Sequence, residues 1–449
     1  AVMKKVLALS LVFILFASLI TVAEEAPKPD VTASKVKIKY FPQSQWKPTY
    51  MEVRTPAIMF CGQEVKTEFS KERLKIEGRN LKPSREPVVF TIMKGEEERY
   101  LGIVHHKGKW VYYNATLEML KHRKEDIVIY GFDIDCDDSY FNPKRDGMIY
   151  PDSTSVVPFE GVPFWYIDKS VDLVKTPDGY KMTSKPLAGE EQELEALKLI
   201  NRVRVDAGIH ALFLNEDLSE KCRKHAHYVA ANGADQIDTP YQENAGNEGY
   251  TPEGASVAAG SIYWYFDNAS DAIQAHMGYI FYRNRYVHGN RRTVAIGYDS
   301  PIFCFNESNI DNDPPRYEYP ITIPGPGQKI PYIHFSTHSA TFQPDPRPGA
   351  SGCGFPVTLT WDYASNVELK DAKLFLLKGG KEIAQQIASS GPNKPAVPNY
   401  YQNNQGMIAI IPLNNLEPKA TYRVVIDYTD GGEEKKKDYY FETANVAVN

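Results

Sequence analysis

The order of apolar and polar residues along the chain divides it into three stretches. Residues 30 to 185 alternate short apolar runs with turns, as in "PVVFTIM", "YLGIVHH", "GKWVYYN", "DIVIYGFDI" and "PFWYI". Aromatic and β-branched residues dominate these runs, and no long stretch has the spacing of a helix. The pattern therefore predicts a β-rich domain over residues 30 to 185.

The spacing changes after Leu187. In "EEQELEALKLINRVRVDAG" the apolar residues recur at three-residue steps from Leu194 to Val203, which predicts an amphipathic helix that stops at Gly208. A second helix is expected after Asn215, and "ASDAIQAHMGYIF" predicts a third. Because "RTVAIGYDSPIFCFN" alternates like a strand, residues 187 to 312 are expected to form an α+β domain.

Residues 320 to 445 return to strand patterns. Pro and Gly cluster in "DPPRYEYPITIPGPGQKIP", and short apolar runs then follow at regular spacing: "FPVTLTW", "AKLFLLK", "GMIAIIPL", "TYRVVIDY" and "KDYYFET". Several short strands at such intervals predict a β-sandwich. The expected fold class is α+β multidomain, with β-rich parts on both sides of the mixed middle part.

The first 23 residues have the pattern of a secretory signal peptide. Two lysines precede a long apolar run, and small residues then lead to Ala23, where cleavage is expected. A retained N-terminal anchor is the alternative, because the apolar run approaches the ~18 residues that can span a bilayer. Cleavage predicts a mature chain without a membrane span that is secreted, periplasmic or at the cell surface.

Charge and cysteine content narrow the classes of partner. The net charge is −6, and it becomes −8 when Lys4 and Lys5 leave with the signal peptide. An acidic chain without a basic stripe argues against nucleic acid and anionic membrane surfaces. Five cysteines are too few for a disulfide-dense scaffold, but export permits one or two bridges. We expect a bridge between Cys222, on the second helix, and Cys304, in "IFCFN", although sequence does not fix the pairing.

The densest group of candidate ligands is "DIDCDDSYFNPKRDG". Asp133, Asp135 and Asp137 alternate, and Asn142 and Asp146 follow. Calcium takes six to eight oxygen ligands, and alternating aspartates can turn several carboxylates toward one ion. The spacing is not that of an EF-hand, which requires Gly at the sixth position and Glu at the twelfth. The sequence predicts calcium in the N-terminal domain, with an acidic solvated turn as the alternative.

Several middle segments resemble the CAP superfamily of cysteine-rich secretory and pathogenesis-related proteins. They are "LINRVRVDAG", "LFLNEDLSEKCRKHA", "GYTPEGASVAAGSIYW" and "DAIQAHMGYIFYRNRYVHGNRRTVAIGY". "GYTPEGA" is similar to a bacterial exported branch, in which a β-rich domain often precedes the CAP domain and an Ig-like domain follows it. The resemblance implies a CAP-type α-β-α sandwich over residues 187 to 312 and an Ig-like β-sandwich over residues 320 to 445.

The resemblance also implies a cleft, which in the family often holds two histidines and two acids around a metal. Here Tyr241 and Tyr282 stand where the histidines are expected, beside Arg283, while Glu243 and Glu253 remain as candidate acids. Phenols are poor zinc ligands, so we expect a cleft without metal or cofactor that binds a peptide, glycan or lipid-like ligand. The alternatives are a CAP-type hydrolase using the glutamates and an adhesive or scaffold protein acting through its β domains.

Overall fold

The computed structural model describes residues 31–37, 51–70, 73–84, 87–106, 108–124, 126–143, 145–150, 155–177, 179–233, 241–307, 317–332, 334–336, 352–361, 366–391 and 406–445. The predicted signal peptide, residues 1–23, lies outside these ranges. None of the described helices is long and apolar enough to cross a membrane.

The N-terminal part consists of strands, as its short apolar runs predict. They are β1 (Val31–Lys37), β2 (Met51–Glu52), β3 (Ala57–Phe60), β4 (Gln63–Ser70), β5 (Arg73–Ile76), β6 (Arg79–Leu81), β7 (Val88–Lys94), β8 (Glu97–His106), β9 (Lys109–Asn114), β10 (Thr116–His122), β11 (Ile127–Phe132), β12 (Gly147–Ile149), β13 (Val157–Pro158), β14 (Phe164–Tyr166), β15 (Lys169–Thr176) and β16 (Gly179–Pro186). They form four small sheets with the orders β1-β10-β11-β12-β13, β2-β9-β8-β7, β3-β4-β5-β6 and β14-β15-β16.

The described helices lie in the middle part, around one four-stranded sheet of order β17-β19-β20-β18. In chain order the elements are α1 (Glu191–Asp206), β17 (Phe213–Leu214), α2 (Glu216–Asn232), α3 (Pro252–Ala258), β18 (Ser261–Tyr265), α4 (Ala269–Gly278), α5 (Ile280–Val287), β19 (Thr293–Asp299) and β20 (Ile302–Asn306). Asn215 caps α2 by accepting a hydrogen bond from the Leu218 amide at 3.1 Å. The three predicted helices are confirmed.

The C-terminal part again consists of strands: β21 (Ile321–Ile323), β22 (Lys329–Ile330), β23 (His334–Ser336), β24 (Gly352–Gly354), β25 (Val357–Thr360), β26 (Val367–Lys378), β27 (Lys381–Ala384), β28 (Ile387–Ser390), β29 (Met407–Pro412), β30 (Thr421–Asp430) and β31 (Glu433–Thr443). A four-stranded sheet, β21-β25-β29-β28, and a five-stranded sheet, β22-β31-β30-β26-β27, account for most of them. This arrangement is compatible with a β-sandwich.

The expected α+β fold class, with a CAP-type α-β-α sandwich at its centre, is wrong. The structure is mostly β: 50% is strand and 17% is helix, in five described helices and many small sheets. Only α1 and α2 are longer than ten residues, at 16 and 17 residues. The helical spacing that suggested a mixed fold is a local feature, whereas antiparallel hairpins on both sides of it determine the class of the chain.

The apolar interior runs through all three parts. One cluster of buried side chains begins at Val104 in β8, includes Leu197 in α1 and Phe303 in β20, and continues to Phe441 in β31. A separate, smaller cluster lies between α2 and one face of the middle sheet, and it includes Val229 and Cys304. Apolar side chains therefore cover both faces of the middle sheet. This covering limits the positions at which functional residues of the sheet can lie.

Candidate metal centre

The loop from residue 133 to residue 146 follows the buried strand β11 and is held at its base by side chains. Asn114 donates from Nδ2 to the Asp133 carbonyl at 2.6 Å and accepts from the Thr116 amide at 3.0 Å. Cys136 and Asp138 have φ values of 59° and 69°, in the left-handed region. Two left-handed residues on either side of Asp137 make the backbone turn sharply at this point of the loop.

Asp133, Asp135 and Asp137 form the cluster that the sequence predicts. One carboxylate oxygen from each lies within 4.8 Å of the others, so the group could hold a metal ion. Asp133 is buried, whereas Asp135 and Asp137 are exposed. The cluster thus has one carboxylate at its floor and two at its rim, with the rim open to solvent.

The buried carboxylate of Asp133 is only partly hydrogen-bonded. Its Oδ1 accepts a hydrogen bond from the Asp137 amide at 3.2 Å, but its buried Oδ2 has no partner among the described residues. Burial, with a smaller contribution from the charges of Asp137 and Asp135, raises the pKa of Asp133 to about 6. A buried carboxylate oxygen without a donor is costly unless it is protonated or bound to a cation.

Asn142 and Asp146, the other two predicted ligands, shape the loop. Asp146 accepts from the Ile134 amide at 3.0 Å through Oδ1 and from the Asn142 amide at 2.8 Å through Oδ2. Asn142 donates from Nδ2 to Asp137 Oδ2 at 2.6 Å. Burial raises the pKa of Asp146 to about 8, although both amides favour its charged form. Both residues therefore hold the loop through hydrogen bonds, and Asp146 is not among the three clustered aspartates.

The cations near the loop neutralise a different carboxylate. Asp138 forms ion pairs with Lys94, at 2.6 Å, and with the buried Arg99. The cluster itself is approached by Arg145, whose Nη1 lies 3.5 Å from Asp135 Oδ2 and whose side chain is 70% exposed. An exposed ion pair of that length contributes little, so most of the negative charge of the cluster remains uncompensated by the described residues.

The loop is also covalently anchored. Cys136, between Asp135 and Asp137, forms a disulfide with Cys61 in the turn between β3 and β4, 75 residues earlier in the chain. The expected bridge between Cys222 and Cys304 is not present. Both residues are buried free thiols in the structure. Sequence spacing gave no signal for the observed pairing, which depends on how two separate sheets pack.

Cys222 and Cys304 do lie together in the small cluster between α2 and the middle sheet. A hydrogen bond that the Cys222 thiol makes to Cys304, together with burial, raises the pKa of Cys222 well above its ordinary value. The contact is made at Gly297, which pairs with Cys304 across the sheet and lies against the backbone of α2. The sequence thus correctly indicated that Cys222 and Cys304 lie close together, but it did not indicate that both are free thiols.

The five predicted cleft residues are not brought together, because the middle sheet separates them. Tyr241 is 47% exposed, and its ring centroid is 5.7 Å from that of Tyr263. Tyr282 is buried, with its ring 5.5 Å from Trp264. Tyr263 and Trp264 are consecutive in β18, so their side chains point to opposite faces of the sheet.

The two glutamates also occupy different environments. Glu243 is buried and receives two contacts: His225 Nδ1 lies 2.9 Å from Oε1, and the Thr251 amide donates to Oε2 at 3.2 Å. Glu253 lies at the surface, 3.6 Å from Lys224 Nζ. His225 is buried on the inner face of α2, as its helical position predicts, but its pairing with Glu243 could not be read from the sequence.

Arg283 lies away from both glutamates. Its buried guanidinium donates to the carbonyls of Met277, Ile323 and Pro356, at 2.6, 3.2 and 2.7 Å. It also lies 4.2 Å from the centroid of the Phe355 ring. Arg283 therefore joins α5 to the C-terminal strands.

Comparisons with protein-family models, curated proteins and solved structures found no match to this chain.

Proposed function

We propose that this protein is an exported, non-catalytic binding protein and that calcium holds its 133–146 loop in shape. One observation carries the calcium assignment: Asp133 Oδ2 is buried without a partner among the described residues, next to two further carboxylates. A cation at this point would satisfy that oxygen and remove the repulsion among the three charges.

The chemistry of the donors favours calcium over other metals. All three side chains offer carboxylate oxygens, which suit hard cations, and the group contains no histidine or cysteine. Calcium accepts irregular geometry and completes its coordination with water, whereas magnesium requires a near-ideal octahedron. Two exposed carboxylates on an irregular loop therefore fit calcium better than magnesium.

The positions of the predicted cleft residues support a non-catalytic role. Glu243 is occupied by His225 and the Thr251 amide, and Glu253 faces solvent beside Lys224. A hydrolase needs an acid or base within reach of a nucleophile or an activated water. Since the two acids lie in different environments, the hydrolase that was the alternative has no support from this arrangement.

Calcium titration of the full chain tests the proposal. For a surface loop with three carboxylates we expect a Kd on the order of 0.1–1 mM. At 10 mM calcium the free energy of unfolding should then rise by about 1.4–2.7 kcal/mol. Thermal unfolding and isothermal titration calorimetry measure the two quantities, and magnesium at the same concentration should give a smaller shift.

Matched variants identify the site. Asp135→Asn and Asp137→Asn should each abolish most of the calcium shift, because each replaces an anionic ligand by a neutral one of the same shape. Asp168→Asn, in the exposed turn between β14 and β15, should keep it. Absence of a shift in the unmodified protein, or an equal shift in Asp135→Asn, would remove the calcium assignment.

A further inference from the structure

Three consecutive lysines in β31 have different surroundings. Lys435 Nζ lies 3.0 Å from Asp430 Oδ2, and Lys436 Nζ lies 3.4 Å from Asp427 Oδ1. The side-chain amine of Lys437, by contrast, forms no ion pair or hydrogen bond with any described residue. Lys437 therefore lacks the anionic partner that each of its two neighbours has.

The alternation of side chains along β31 explains this difference. Lys437 lies on the same face of the strand as Tyr439 and Phe441, which are both buried. Its partner across the sheet is Ile426 in β30, which is also buried. The side chain of Lys436 lies on the opposite face and is 55% exposed. The side chain of Lys437 is thus directed toward the apolar interior of the C-terminal part.

This interior supplies no counter-charge from the strands that the structure describes in the other C-terminal sheet. Those strands, β21, β25, β28 and β29, contain no charged residue. On its own face of β31, Lys437 has Lys435 two residues away, and the two charges have the same sign. Burial, with a smaller contribution from the charge of Lys435, lowers the pKa of Lys437 to about 8. Loss of hydration disfavours the ammonium form when no anion replaces the water.

The lowered pKa changes the chemistry of this amine. At pH 8 about half of it is uncharged, whereas an ordinary lysine, with a pKa of ~10.4, has about 0.4% of its amine in that form. Only the uncharged amine has a free electron pair, and a lysine in apolar surroundings is an activated nucleophile for this reason. Lys437 therefore supplies far more nucleophile near neutral pH than an ordinary lysine does.

A small molecule can reach this amine. Lys437 is half-buried rather than buried. β31 pairs with β30 along its whole length, but on its other side it pairs with β22 only at Glu442 and Thr443. In the described part of the sheet, Lys437 therefore lies on an edge that no neighbouring strand covers.

We propose that Lys437 is a site of covalent modification that forms an imine with small aldehydes. The amine nitrogen attacks the carbonyl carbon, a carbon–nitrogen double bond replaces the carbon–oxygen double bond, and the oxygen leaves as water with the two amine hydrogens. The step needs no oxidant or reductant. The proposal does not depend on the calcium site.

Competitive labelling within the full chain tests the proposal. The protein is treated with propanal at pH 7.5, cyanoborohydride traps the imine as a propyl amine, and peptide mass spectrometry locates the modified lysines. We expect the initial rate at Lys437 to exceed the rates at Lys435 and Lys436 at least tenfold, because the larger fraction of free amine outweighs the lower basicity of this nitrogen. At pH 10 ordinary lysines also supply free amine, so the ratio should fall at least tenfold.

The ratio is measured within one sample, so the effect of pH on the reductant cancels. Labelling of Lys437 no faster than that of its two neighbours at pH 7.5 would overturn the proposal. A ratio that stays constant between pH 7.5 and pH 10 would also overturn it, because the preference would then reflect access alone.

Two variants assign the reaction to this residue. Lys437→Met should remove the fast first addition of one propyl group, which the mass of the intact chain reports. Lys436→Met is the matched control, since it removes the adjacent amine on the opposite face and should keep the fast addition. An equally fast first addition in Lys437→Met would show that another amine is responsible and would overturn the assignment.

Discussion

His276 shows how strongly the interior of this protein constrains a single side chain. Its ring stacks on Tyr282 at 4.8 Å and meets Trp264 and Phe303 edge-on at 5.3 and 5.7 Å, and its Nδ1 lies 2.5 Å from the Tyr286 hydroxyl. Burial, with a smaller contribution from the charge of Arg285, lowers its pKa to about 3. The folded protein therefore keeps this imidazole neutral.

This neutral histidine predicts loss of stability in acid. Below its ordinary pKa of 6.5 the unfolded chain takes up a proton at residue 276, and the folded chain does so only near pH 3. The free energy of unfolding should thus fall as pH decreases from 6.5 toward 3, at up to ~1.4 kcal/mol per pH unit from this residue. Between pH 7 and pH 5 the loss should be about 2 kcal/mol smaller in His276→Phe. Urea unfolding at both pH values measures it, and parallel losses in the two proteins would contradict the prediction.

At the scale of elements, the contact between α2 and the middle sheet depends on one glycine. Gly297 lies in β19, and a Cβ there would overlap backbone atoms of Cys222 and Arg223 and lie 2.8 Å from the Cys222 Cβ. Because the obstruction is helix backbone rather than a flexible side chain, it cannot be relieved by a rotamer change. The close approach also positions Cys222 beside Cys304.

Gly297→Ala should therefore separate α2 from the sheet. We expect a loss of about 1–3 kcal/mol in the free energy of unfolding, the usual cost of overpacking. The two thiols should also react faster with a thiol reagent. Gly246→Ala is the matched control, since its Cβ would meet only Asn244 Oδ1, at 3.6 Å. A stability loss no greater than that of the control would show that the helix can shift without cost.

The sequence predicted most elements but few of their mutual contacts. Apolar spacing correctly placed α1, α2 and α4 and the strands that begin at Val88, Lys109 and Thr421, because each pattern is contained in one short segment. The pairs Cys61–Cys136 and His225–Glu243 depend on how distant segments pack, which no local pattern records. The position of Tyr282 could not be predicted for the same reason. The face of the middle sheet against which its ring packs depends on strand register, which no local pattern records.

At the scale of the whole molecule, the middle and C-terminal parts share one interior. The large apolar cluster passes from α1 through β20 to β31 without interruption. Arg283 adds polar contacts across the same region, since two of its acceptors, the carbonyls of Ile323 and Pro356, belong to the C-terminal part. The two parts should therefore lose their structure together when the protein unfolds.

Arg283→Met should weaken this connection. It would remove the guanidinium donor from all three carbonyls, of which Ile323 keeps the Thr358 hydroxyl at 3.5 Å. Unsatisfied buried acceptors cost about 1–3 kcal/mol each, so the loss of the donor to Met277 and Pro356 should lower the free energy of unfolding by about 2 kcal/mol or more. The control is Arg285→Met, whose side chain is 45% exposed and lies 3.4 Å from Glu307; it should cost less than about 1 kcal/mol. Urea unfolding followed by two spectroscopic probes measures both variants. Equal losses in the two would contradict the role assigned to Arg283.

The position of Cys136 between Asp135 and Asp137 has a consequence for the order in which the protein matures. The covalent link to Cys61 fixes the stretch of backbone from which both rim carboxylates project. A newly made chain in a reducing compartment lacks that link, so its carboxylates are free to move apart under their mutual repulsion. On the proposed function, oxidation of the two thiols therefore precedes calcium binding, and the calcium concentration around the chain matters only after the disulfide has formed.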